Sequence, residues 1–137
     1  MSLPTLNIFA IIVAGLVEVV LGAIWFNAPF AFNKQWLAGI GKTAEQVAED
    51  ASPMSIVSAI VGALITAFVL AIFIGWMGID TWQGGLIVGL LSAIGFSANT
   101  AFVKDRFEAR PISLSLINAS HDIVILGLMG LIIGIWQ

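Results

Sequence analysis

Four apolar runs, each about twenty residues or longer, leave this chain little choice in how it folds. They cover residues 6–26, 53–76, 82–103 and 112–136, and the only ionisable residues inside them are Glu18, His121 and Asp122. A helix of about twenty apolar residues matches the hydrocarbon thickness of a bilayer. Of the 137 residues, 60% are hydrophobic and 9% charged, more apolar surface than a soluble core of this length can hide. The expected fold is an all-α integral membrane protein. It is a single domain, residues 1–137, of four transmembrane helices, with no length left over for a catalytic domain outside the bilayer.

The punctuation between the runs sets their limits. Pro29 closes the first run, and Ser52 followed by Pro53 reads as a capping residue and the first helical position of the second. Gly78, Ile79 and Asp80 predict a tight turn, with Asp80 and Gln83 as a capping box for the third run. Pro111 opens the fourth. The first run has no basic stretch before it and no small-residue cleavage pattern after it, so it is expected to stay as a helix and not to be removed as a signal peptide. Within the connector 27–52, Phe30, Phe32, Trp36 and Leu37 predict a short interfacial helix. Thr43 and Gln46 then start a polar turn or two carrying Glu45, Glu49 and Asp50. A connector this long is also a candidate gate over that face.

Every Lys and Arg falls in the connectors 27–52 and 104–111, as Lys34, Lys42, Lys104, Arg106 and Arg110. Basic loops stay cytoplasmic, so a multi-pass protein of the cell membrane is expected, with both termini outside. Trp76, Trp82 and Trp136 then fall at the outer boundary and Trp25 and Trp36 at the inner one, as interfacial anchors.

Two patterns describe how the helices are arranged. Leu21, Ala23, Ile24 and Phe26 recur seventy positions later as Leu91, Ala93, Ile94 and Phe96, and Pro53 to Ile56 resemble Pro111 to Leu114. A duplicated hairpin would account for both, as a parallel repeat about an axis along the membrane normal. Gly85, Gly89 and Ala93 in the third run, and Gly130 and Gly134 in the fourth, make ridges on which helix backbones approach closely. Together with the alanine stripe 59–71 this is more small-residue surface than four helices need, so a homo-oligomer is expected.

The polar residues converge on one depth. By helical rise, Glu18 lies about 12 Å and His121 about 15 Å from the cytoplasmic ends of their spans. Ser115, Asn118 and Asp122 share a face of the fourth run, with Ser97 and Asn99 of the third nearer the cytoplasmic mouth. These groups are expected to line an inward-facing cavity, with Glu18, His121 and Asp122 at its closed end. The spans hold two carboxyls, one imidazole and no Lys or Arg. One histidinium balances one carboxylate, so the other carboxyl must carry a proton or hold a cation. A carboxyl placed so is the usual element of proton- or cation-coupled transport.

Other chemistries find no support. One His and two carboxyls without ligand spacing, and the lack of cysteine, point to no metal and no cofactor. No phosphate-cradling glycine loop, nucleophile elbow or basic stripe is present, so neither an enzyme nor a nucleic-acid partner is expected. The partners are membrane lipid, further copies of the chain, and a small solute or proton.

The stretch Gly22, Trp25, Phe26, Pro29, Phe32 and Trp36 resembles the G-x-x-W-[YF]-x-x-P-x-x-F-G-x-x-W motif of the bacterial membrane family known as domain of unknown function 1761. Residues 116–119 and Met129–Gly130 are similar to that family's closing helix. Asn33 stands where the family commonly has glycine, and Glu18 lies outside the motif. The resemblance implies the four-span fold and carries no activity with it. Two readings stay open: a transporter built on Glu18, with Asn118, His121 and Asp122 across the cavity, or an assembly subunit docking through its small-residue ridges.

Overall fold

The computed structural model describes residues 2–28 and 30–136, so Pro29 of the motif lies outside the described residues. In chain order the helices are α1 Ile8–Asn27, α2 Asn33–Ile40, α3 Ala44–Asp50, α4 Pro53–Trp76, α5 Trp82–Ser92, α6 Asn99–Phe107 and α7 Ile112–Ile135. A π-helical stretch, Ala93–Ala98, joins α5 to α6. Among the described residues four helices are long and apolar enough to cross a membrane: α1, α4, the continuous rod Trp82–Phe107, and α7. The protein is an all-α, four-span membrane protein.

Local chemistry sets most helix ends. The Asn7 side chain accepts from the amides of Phe9 and Ala10 at 3.0 and 3.2 Å and starts α1. Ser52 Oγ accepts from the Ser55 amide at 3.2 Å, with Pro53 in the first turn of α4. After Trp76 the chain turns through Gly78 at φ +65°, and the Ile79 amide bonds back to the Ile74 carbonyl at 3.2 Å, which closes the helix in a left-handed cap. The third span corrects the expected cap. Thr81, not Asp80, has the extended backbone of an N-cap, and its Oγ1 accepts from the Gly84 amide at 3.3 Å. Both side chains can cap, and the geometry of the preceding turn selects the second.

In the connector, Thr43 and Gln46 form the reciprocal capping box of α3, at 2.9 and 3.3 Å. The backbone amide of Glu45 and the Thr43 hydroxyl hold the Glu45 carboxyl below the usual carboxylate range. Lys42 reaches Asp50 at 2.7 Å and ties the two ends of α3. The helix α2 rests on the start of α7, where a Cβ on Gly39 would lie 2.9 Å from Leu114 Cβ.

The long helices run antiparallel in two hairpins. In the first, Gly15 of α1 faces Ala63 and Leu64 of α4, Gly75 faces Pro4, and the Trp76 indole donates to the Ser2 carbonyl at 2.9 Å. In the second, α5 and α7 touch backbone to backbone. A Cβ on Gly85 or Gly89 would overlap the carbonyl oxygen of Gly130 or Leu126, and Gly134 sits against Gly85. Ala14, Ala67, Ile74, Ile125 and Met129 fill the core between the hairpins, and Ala93 is fully buried beside them.

This packing bears on the small-residue ridges. Gly85, Gly89, Ala93, Gly130 and Gly134 are all buried inside one chain, as are Ala63, Ala67 and Ala71 of α4. These small residues serve to close the protomer, while Ala59 of the alanine stripe stays exposed.

Ser2, the turn at Gly78 and the end of α7 lie at one end of the bundle, here the terminal end. The connector helices and the turn after α6 lie at the other, the connector end.

Candidate functional site

Small residues open a cleft where the first hairpin leaves its contact at Gly15. From there toward the connector end, Gly22 and Ala23 on α1 and Ser55, Ile56 and Ala59 on α4 border a gap between the helices. The resulting cleft has a volume of about 500 Å³ and is walled by these residues with Val19, Phe26 and Asn27. Glu18 and His121 supply its ionisable lining.

On the α7 side a fixed chain of polar groups stands behind the cleft. His121 Nδ1 lies 3.2 Å from Asp122 Oδ1, and their side chains are only 14% and 25% exposed. The other oxygen of Asp122 accepts a short hydrogen bond from the Ser97 hydroxyl. With Nδ1 against a carboxylate, a neutral ring carries its proton on Nδ1 and presents Nε2 as an acceptor. That atom faces α1, where a Cβ on Gly22 would lie 3.3 Å from it. Both Nε2 and Glu18 Oε2 are buried and make no hydrogen bond. Glu18 is also within electrostatic range of His121 and of Asp122.

Ser97 reaches Asp122 from the π-helical stretch. A π turn inserts a residue into the helical register and is frequent at functional sites. The apolar pattern of the third run suggested an unbroken α-helix, and no proline marks the change.

Aromatic side chains hold the imidazole from the α1 side. The Phe26 ring is 4.9 Å from that of His121, and Trp25 meets it edge-on at 6.0 Å. Trp25 packs on Phe32 at 4.8 Å and Phe26 on Trp36 at 5.3 Å. Gly22, Trp25, Phe26, Phe32 and Trp36 therefore form one connected surround for the single histidine. Asn33, at the position where glycine is common in the motif, donates from Nδ2 to the Phe26 carbonyl at 2.7 Å and so satisfies the end of α1. Trp25 and Trp36 are thus partly buried and pack on Phe32, Phe26 and His121. Trp76, Trp82 and Trp136, at the terminal end, are 46–47% exposed.

The remaining polar residues of the expected cavity separate. Asn118 is partly buried one turn from His121 and makes no hydrogen bond to the cluster, and Asn99 is exposed just beyond the π stretch. Ser115 is buried and accepts from Arg106 Nη2 at 2.8 Å, away from the cleft. Arg106 also bonds the Arg110 carbonyl at 2.7 Å and covers the Phe102 ring at 5.2 Å, which ties α6 to the start of α7. Among the described residues no group of three or more His, Asp and Glu side chains is gathered to hold a metal ion.

No curated protein and no solved structure matches this chain. The sequence profile of a protein family of unknown function matches residues 9–134, which takes in all four spans and both connector helices. A match of that extent places the chain in the family DUF1761.

Proposed function

We propose that the protein is a small carrier in which Glu18 takes up and releases a proton or small cation as a solute moves through the cleft. The observation that carries this reading is the pair Glu18 Oε2 and His121 Nε2, both buried and both without a hydrogen-bond partner on one cleft. Asp122 is compensated by two donors, the Ser97 hydroxyl and the His121 ring. Glu18 has no such compensation, and an ionised carboxylate without a partner in a membrane interior is costly. A proton or a bound cation removes that cost, and exchanging one for the other couples the two.

The fixed Ser97–Asp122–His121 chain supports the same reading. It orients the imidazole, and in the neutral ring it turns the acceptor Nε2 toward Gly22 at the cleft. All five basic residues lie at the connector end, and we take that end as cytoplasmic, with the cleft opening inward. The reaction involves binding and release alone, with no bond-making chemistry and no cofactor. One chain suffices to build the cleft. An assembly role loses its main support, because the glycine ridges that would dock a partner are closed within the protomer.

The test is the pH change inside proteoliposomes under an imposed potassium diffusion potential. Wild type is expected to carry protons and Glu18→Gln to carry none while keeping its helical content. Equal flux in the two proteins would sink the proposal.

A further inference from the structure

We infer that the cleft takes a primary or secondary organic ammonium ion bearing a modest apolar group, with its N–H bonds shared between Glu18 and His121. The assignment rests on the carrier reading above and names the solute.

Charge comes first. No Lys or Arg lines the cleft, and the Asp122 carboxylate stands directly behind His121. An anion entering it would meet only repulsive or neutral groups, so the guest is a cation or uncharged. A metal ion is a poor guest, since two side chains do not complete the coordination of zinc or of a hard divalent cation.

Hydrogen bonding then narrows the cation. Glu18 Oε2 accepts, and so does His121 Nε2 once Nδ1 donates to Asp122. Two acceptors on one cleft match a guest with two N–H donors. A quaternary ammonium has none, and it would leave both acceptors desolvated and unpaired. Gly22 leaves room beside Nε2, where even a Cβ would stand 3.3 Å from it.

Shape supplies the last condition. At about 500 Å³ the cleft is far larger than a bare ammonium ion and lies in the range of small-molecule sites. Its remaining walls are mostly apolar, from Val19, Ala23 and Phe26 across to Ile56 and Ala59, with Asn27 and Ser55 as the other polar groups.

The experiment is binding of 2-phenylethylammonium, and of its N,N,N-trimethyl derivative, to the purified full chain in nanodiscs, with the signal of protein-free nanodiscs subtracted. The primary ammonium is expected to saturate the protein with a Kd roughly tenfold or more below that of the trimethyl compound. Its binding should be lost in Glu18→Gln. Equal affinities, or no saturable binding of the primary amine, would overturn the assignment. So would binding that survives Glu18→Gln unchanged. If that variant does not fold, the two compounds on wild type decide the matter alone. Proton flux without amine binding would overturn the ligand and leave the carrier reading in place. Amine binding without flux or transport would support the ligand and overturn the carrier.

Discussion

Where α5 meets α7 the two backbones touch across Gly85, Gly89, Gly130 and Gly134, whereas α1 and α4 meet at Gly15 and Leu64 and then part around Glu18. Both hairpins use small residues, but to opposite ends. In the second, each missing side chain is matched by a backbone from across the interface, so nothing is left unfilled. In the first, Gly22, Ala23 and Ala59 have no backbone opposite, and the missing volume becomes a cleft. The lesson is that a glycine in a membrane helix is neither a packing signal nor a cavity signal by itself. What faces it decides which one it is.

The largest expected effect comes from adding volume to the closed hairpin. Gly89→Val puts side-chain atoms into the Leu126 carbonyl and must force α5 off α7, at a cost of about 3 kcal/mol or more. A thermal melt in detergent reads this directly, and a wild-type melt would break the comparison. The same substitution in the open hairpin should behave differently. Gly22→Val fills space beside His121 Nε2, so proton flux in proteoliposomes should fall by about tenfold while stability changes by less than about 1 kcal/mol. A large loss of stability there would show that the cleft is packed in solution.

Smaller effects sharpen the picture around the site. Trp36→Leu keeps an apolar side chain but removes the ring that packs on Phe26, with an expected loss of about 1.5 kcal/mol in a denaturation midpoint. A silent result would mean that the aromatic surround does not hold the imidazole. Least of all, Thr81→Ala should cost about 0.5–1 kcal/mol, whereas Asp80→Ala should be near neutral. The reverse order would return the cap of the third span to Asp80.

How much of this was legible in the sequence follows from the range of each interaction. Ser52 with Pro53, and Thr43 with Gln46, act within one turn, and both read correctly from residue type alone. At Asp80 and Thr81 two competent caps stand side by side, and only the path of the preceding turn separates them. The common depth of Glu18 and His121 follows from helical rise, and the structure does bring the two to one cleft. What joins them was hidden. Nothing in Ala93–Ala98 announces a π turn, because its extra residue is justified by the contact between Ser97 and Asp122, twenty-five positions apart. Of the two residues expected near the mouth, Ser97 reaches Asp122 and Asn99 is exposed. Trp25 and Trp36 fit an interfacial belt by position, yet their partners are Phe32, Phe26 and His121. Contacts of that kind between distant residues leave no local trace in a single sequence.

The glycine contact between α5 and α7 has a consequence for how the chain assembles in the bilayer. Lipid tails are as apolar as leucine, so two spans gain little by hiding greasy surface from them. Docking then depends on what is lost when they meet, and much of that loss is usually the freezing of side-chain rotamers. Gly85, Gly89, Gly130 and Gly134 have none to freeze. The third and fourth spans therefore dock with little rotamer entropy to lose at their closest contacts.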